Sequence, residues 1–276
     1  MLSHAAYGKS RIRLVGVARH GDRHDVRDLT VAVRFEGEYD TSYTAGDNSD
    51  VLPTDTMKNT VYALASAGVD EPESFGLTLA SHFLDRNPRL QCVRIDFTEH
   101  LWRHIAVGER EHGTSFMRRG PETRLASVQS DRQHTVAGAG IADLMILKTA
   151  HSAFAGFRRD EYTSLPETHD RLFATSLTAT WRYLDTDVDF GASWRAVRSL
   201  LLETFATHHS ESVQHTLYAM GEVVLANVDH VQDITLVMPN KHHLPVDLSR
   251  FALENRNEIF VATEEPHGLI EATLTR

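Results

Sequence analysis

One cysteine, Cys92, stands in the whole chain of 276 residues, so no intrachain disulfide framework exists and the fold must rest on core packing. Cys92 sits in an alternating, strand-like run and reads as a small core residue rather than a nucleophile. Long apolar runs are missing too: nothing approaches the eighteen or so residues a membrane span requires, and MLSHAAYGKSR lacks the apolar centre of a secretory signal. The last residues, EATLTR, carry no S-K-L address. A reducing cytoplasm is the expected location. Basic residues are in deficit, with 28 Lys and Arg against 38 Asp and Glu and a formal charge of −10, which argues against a nucleic-acid partner. No G-x-G-x-x-G follows a strand, so no dinucleotide fingerprint is visible.

What remains is an ordinary globular composition, 41% hydrophobic and 24% charged, enough for one large domain or two small ones. RIRLVGVAR (11–19) and DLTVAVRFEGE (28–38) are β-branched, alternating runs joined by the polar HGDRHDVR, which reads as a hairpin. Met57, Val61 and Leu64 recur at helical spacing, predicting a helix that starts near Thr54 to Thr56, with Thr54 or Asp55 as its cap, and stops at Gly68. Pro72 opens a second helix through Phe75, Leu79 and Phe83, ended by Asn87-Pro88. Extended segments follow at 90–107 and 122–137. After the Gly-rich VAGAG the order repeats, with strands at DLMILKTA and LFATSLTATWRYL, helices at 192–207 and 211–227, the latter capped by Ser210, and short closing strands that include HLPVDL. Pro245 in that strand indicates an edge or bulge. The reading is α+β: two tandem ββααββ units, residues 1–138 and 139–276, each an antiparallel sheet with two helices on one face. Sheets of this kind leave open edges, so an oligomer that closes them is expected.

Several short motifs invite chemistry. ARHGDRH (18–24) matches the R-H-G-x-R signature of histidine phosphatases, with THD at 168–170 as a second histidine, yet strand character resumes where that signature needs a helix, and a hairpin turn is the better reading. His100 and His104 stand at i, i+4 without the glutamate of H-E-x-x-H, and the His208-His209 and His242-His243 pairs turn apart on a strand. None makes a zinc site alone. The loop FAGFRRDEYTSLPETHDR is long enough to be functional.

Taken in order, YGK (7–9), YTAGDNS (43–49), TDTMKNTVY (54–62), FRRDEYTSL with ETHDR (157–171), SVQHTLYAM (212–220), MPNKHH (238–243) and GLIEATL (268–274) resemble the pattern of the urate oxidase family over nearly the whole chain. The resemblance implies the tunnelling fold (T-fold) in each half, a homotetramer stacked as a barrel, and active sites between subunits. It implies urate and O2 as substrates, no cofactor and no metal. Arg171 would clamp the planar anion with its two-pronged guanidinium, Gln214 would face the opposite edge with its amide, Phe154 would stack on the ring, and the Val213 N–H would add a donor. Thr54 and Asp55 would come from the neighbouring subunit, with Lys58 and Asn59 supporting their turn. Lys9 and Thr54 would form a proton-accepting dyad, His242 would extend the relay, and Asn240 would hold the oxygen or water site. Rival readings are a non-catalytic purine-binding T-fold protein and a pterin-acting T-fold enzyme, which would need a His or Cys metal set.

Overall fold

The computed structural model describes residues 2–276. The chain divides into two compact units, the first running to Gly140 and taking in Trp181–Trp194, the second comprising Ile141–Thr180 and Arg195–Arg276.

In the first unit the order is β1 (Ala6–His20), β2 (Arg23–Gly37), a short α1 (Asp40–Thr44), α2 (Thr54–Ala65), α3 (Pro72–Arg86), β3 (Leu90–Val107) and β4 (Arg110–Asp131). The four strands pair antiparallel in sequence order. The stretch read as a phosphatase motif is a tight hairpin turn: His20 pairs with Arg23, Gly21 takes φ 62° and the His20 side chain is 67% exposed. Strand β4 begins well before residue 122 and ends at Asp131, because pairing with β3 carries it through register shifts opposite His100/Trp102 and His104/Ala106.

Alternation explains the core. Leu29, Val31, Val33 and Phe35 of β2 and Val93, Ile95 and Phe97 of β3 are buried, as are Met57 and Val61 of α2 and Phe75, Leu79 and Phe83 of α3. Burying one such side chain contributes about 1.5–3 kcal/mol, and Phe35 meets Phe83 edge to face at 5.0 Å. Helix α3 lies so close to the sheet that a Cβ at Gly76 would fall 2.7 Å from Val128 Cγ2.

A β-bulge near the start of β1 bears on the site. Lys9 pairs with Val33 and Ile12 with Val31, so residues 10 and 11 together oppose one residue of β2, and Arg11 takes φ 58°. The extra residue shifts the alternation, which lets Tyr7, Lys9 and the buried Ile12 all point to the helix side. Gly8 between them has no room for a side chain: a Cβ would lie 2.0 Å from the Val33 carbonyl oxygen.

The second unit is built from β5 (Thr135–Lys148, entering at Ile141), β6 (Phe173–Tyr183, as far as Thr180), α4 (Phe190–Thr207, from Arg195), α5 (Val213–Asn227), β7 (Val231–Lys241), a β8/β9 ribbon (His243–Pro245 with Phe260–Ala262) and β10 (Gly268–Thr275). Strands β5, β6, β7 and β10 are neighbours in that order. Phe173, Leu177, Ile234, Leu236 and Met238 pack with Val197, Leu201 and Phe205 of α4 and Leu217, Met220 and Val224 of α5 as a buried set. Strand, strand, helix, helix, strand, strand thus occurs twice, as a tandem T-fold. The VAGAG stretch, expected as a break, is strand interior, and a Cβ at Gly138 would meet the Trp181 carbonyl oxygen at 2.8 Å. Pro245 closes the edge ribbon at the end of β8, where a missing N–H costs no sheet bond.

Candidate active site

In the second unit, the Arg171 guanidinium carbon lies 5.4 Å over the Phe154 ring. Phe154 is braced by a parallel stack with Phe157, centroids 4.9 Å apart and planes at 13°. Backbone bonds set both residues: Phe154 N donates to Thr168 O at 2.7 Å, Thr168 N returns to Phe154 O at 3.0 Å, and Arg171 N donates to Ser152 O at 2.8 Å. The long loop between them is therefore pinned at both ends. Burial pushes the Arg171 pKa down, its Nε is buried without a hydrogen-bond partner, and among the described residues no carboxylate pairs with it. A half-buried guanidinium over an aromatic face, left with free in-plane donors, is suited to a flat anion.

The same backbone segment leads to α5. Ala153 N donates to Ser210 O at 2.7 Å, and Ser210 Oγ donates to Ser212 O at 3.0 Å. The helix cap is Ser212, not Ser210 as expected: Ser212 Oγ accepts from His215 N at 3.1 Å. Ser210 is fully buried in a bridge with Ser152, so its hydroxyl is spent on the loop. Val213 and Gln214 occupy the first helical turn, whose N–H groups have no intrahelical acceptor. Asn240 sits near the end of β7, opposite Gly268 of β10. His242 follows, its pKa lowered by burial, then by Arg171 and by His267, which keeps the imidazole neutral near pH 7. The structure thus brings Phe154, Arg171 and His242 into one neighbourhood and ties the α5 N-terminus to it through backbone bonds.

Lys9, Thr54 and Asp55 lie in the first unit. Thr54 is the first residue of α2, and the cap position is Pro53, which offers no side-chain bond. The expected cap by Thr54 or Asp55 is thus absent, since a residue inside the first turn cannot also serve as its cap. Instead Asp55 is gripped by Lys58 Nζ and, at 3.0 Å, by Asn59 Nδ2. Its pKa is lowered, most by the Lys58 hydrogen bond and also by the charge of Lys9. The Tyr7 hydroxyl accepts from Leu52 N at 3.0 Å, fastening the chain just ahead of Thr54 to the strand that carries Lys9. No Lys9–Thr54 hydrogen bond is formed among the described residues.

Tyr7, Ser152, Ser212 and His267 are supporting residues that sequence reasoning passed over. Ser212 was within reach, standing directly before the first helical residue of a run with two serines; Tyr7 was not, because its partner is 45 residues away.

Two ββααββ units with an aromatic-backed guanidinium, its segment tied by backbone bonds to the approach to a helix N-terminus, define a T-fold enzyme of the α+β class. Residues 5–129 and 137–271 match the Uricase family. Uricases of Arthrobacter globiformis (41% identical, covering 100% of this chain and 90% of that one) and Dictyostelium discoideum (39%, 98% and 96%) are relatives. The crystal structure of the Arthrobacter globiformis uricase superposes with a TM-score of 0.96 at 41% identity, covering 100% of this chain and 95% of that one. The chain belongs to the uricase family, the urate oxidases. No helix among the described residues is long and apolar enough to cross a membrane.

Proposed function

We propose that the chain oxidises urate with O2 and water to 5-hydroxyisourate and hydrogen peroxide without a cofactor. The single observation that carries the reading is Arg171: a guanidinium depressed by burial alone, with an unpartnered Nε, set over Phe154. Urate is a planar anion, and charge-assisted bonds to a two-pronged donor favour it over neutral purines. Phe154 supplies the stacking face, Gln214 the in-plane amide, and the Val213 N–H a donor at the positive end of α5. Asn240 holds O2 or water above the ring.

Thr54 and Asp55 of a neighbouring subunit meet the far edge of the purine in a homotetramer whose stacked sheets form a barrel. The repeats are taken as 1–138 and 139–276. Lys9 and the Thr54 hydroxyl accept the urate proton, and His242, held neutral, passes it on through water. The electron-rich urate dianion then reduces O2, while the protein orients, deprotonates and hydrates. Support for this division of labour comes from Lys9 sharing the helix side of β1 with Tyr7, whose hydroxyl fastens the α2 N-terminus.

The test is loss of urate absorbance with stoichiometric peroxide in buffer treated with a metal chelator. Urate binding without peroxide would assign the chain to purine binding alone, and turnover lost on chelation would overturn the cofactor-free reading.

A further inference from the structure

We infer that the first unit carries a second, non-catalytic site for a compact dianionic oxyanion of the phosphate or sulfate kind, built by Arg11, Arg13, Thr30, Thr98, His100 and Arg118. These six residues line a cavity of about 480 Å³ on the sheet face turned away from α2 and α3. The inference is independent of the urate reading.

Four consecutive strands converge there. Thr30 is the cross-strand partner of both Arg13 and Thr98, so the three share a face, and His100 follows Thr98 by two residues on the same side. Arg11 reaches that face only through the bulge. In an unbroken strand it would follow Tyr7 and Lys9 to the helix side; the extra residue, with φ 58° at Arg11, moves it across. A backbone conformation unfavourable to an L-residue thus sets a third guanidinium beside two others.

The charges do not cancel. Asp28, 5% exposed, accepts from Arg13, from Arg118 Nη1 at 3.2 Å and from Trp102 Nε1 at 3.1 Å. Three guanidinium groups against one carboxylate leave two positive charges, in a chain whose formal charge is −10. Among the described residues no carboxylate lines the cavity itself. Arg118 is also fixed over the Trp102 ring at 5.2 Å, so its position is set before any ligand arrives.

The hydrogen-bonding capacity is that of a donor cup. Arg13 Nη1 donates to Thr30 Oγ1 at 2.6 Å, and His100 Nε2 lies 2.9 Å from the same oxygen. Burial and the charges of Arg13 and Arg118 lower the His100 pKa against the pull of Asp28. A neutral ring that accepts the Thr30 proton at Nε2 keeps Nδ1–H as a donor. A tetrahedral dianion has the charge and the acceptor number to match this set.

The full chain is melted in increasing inorganic phosphate at pH 8, against sodium chloride of equal ionic strength. The expected result is a saturable rise in Tm, half complete below about 10 mM phosphate and absent in chloride. Arg11→Gln, which removes the charge of a guanidinium without a partner among the described residues, weakens the half-saturation point at least tenfold. Arg11→Gln/Arg118→Gln abolishes the rise. The His100 ring resonances titrate at higher pH in phosphate than in chloride. Equal responses to phosphate and chloride, or an undiminished response in Arg11→Gln, overturn the site. A changed oligomeric mass of Arg11→Gln in phosphate-free buffer assigns the arginines to carboxylates of a second copy, and overturns it as well.

Discussion

The Ser152 carbonyl accepts the backbone N–H of Arg171 at 2.8 Å, and through this bond the residue proposed to clamp the substrate is tied to the segment that also holds Phe154 and the approach to α5. The clamp is therefore part of a backbone lattice rather than a side chain at the end of a free loop.

Arg171→Ala is expected to weaken urate binding by about 1.5–3 kcal/mol, the usual worth of hydrogen bonds to a charged group. Arg171→Lys retains the charge and loses the planar fork, so it recovers only part of the affinity. Equilibrium binding of urate to both variants checks this, and full recovery in the lysine variant would remove the two-pronged contact.

Lys9→Met is expected to lower kcat by roughly two orders of magnitude, the typical contribution of a general base, while urate binding persists. Single-turnover kinetics beside a binding titration separate the two. Unchanged turnover removes Lys9 from the proton path.

The pKa of His242 lies below its ordinary value of 6.5 through burial, Arg171 and His267. Turnover that needs the neutral imidazole is retained at pH 7 and lost as pH falls through the lowered value. His267→Gln removes one of the groups that depress it, so the acid limb of the rate profile moves to higher pH. Stability follows the same sign: the unfolded chain binds the proton first, so folding weakens as pH drops below 6.5. His82, His100 and His208, also lowered, act in the same direction. A Tm that rises on acidification from pH 7 would contradict this.

Ser212→Ala removes the α5 cap and is expected to cost about 1 kcal/mol in chemical denaturation. It also loosens the turn that carries Val213 and Gln214, so KM for urate rises, whereas Ser210→Ala leaves the cap bond intact. Equal loss of the cap bond in both, judged by amide exchange at His215, would sink the distinction.

Much of this was legible locally. The apolar period and Pro72 placed α2 and α3 within a few residues of Thr54–Ala65 and Pro72–Arg86. Alternation gave the β1–β2 hairpin, because each pattern depends on residues a few positions apart. The true extent of β4, the strand through VAGAG and the loss of the α2 cap at Thr54 or Asp55 to Pro53 were less accessible, although the support of that turn by Lys58 and Asn59 was expected. In each, a distant partner strand or a side-chain competition outweighed local propensity.

By itself the sequence determined which residues could do the chemistry, since a guanidinium, an amide, an amine and a hydroxyl are properties of single side chains, and their ordered blocks mark the family. Tertiary structure alone decided which of them face the site. One extra residue in β1 reverses the direction of every side chain before it, and a hydrogen bond from Leu52 to Tyr7 sets where α2 begins to point, through relations across strands that no local pattern encodes.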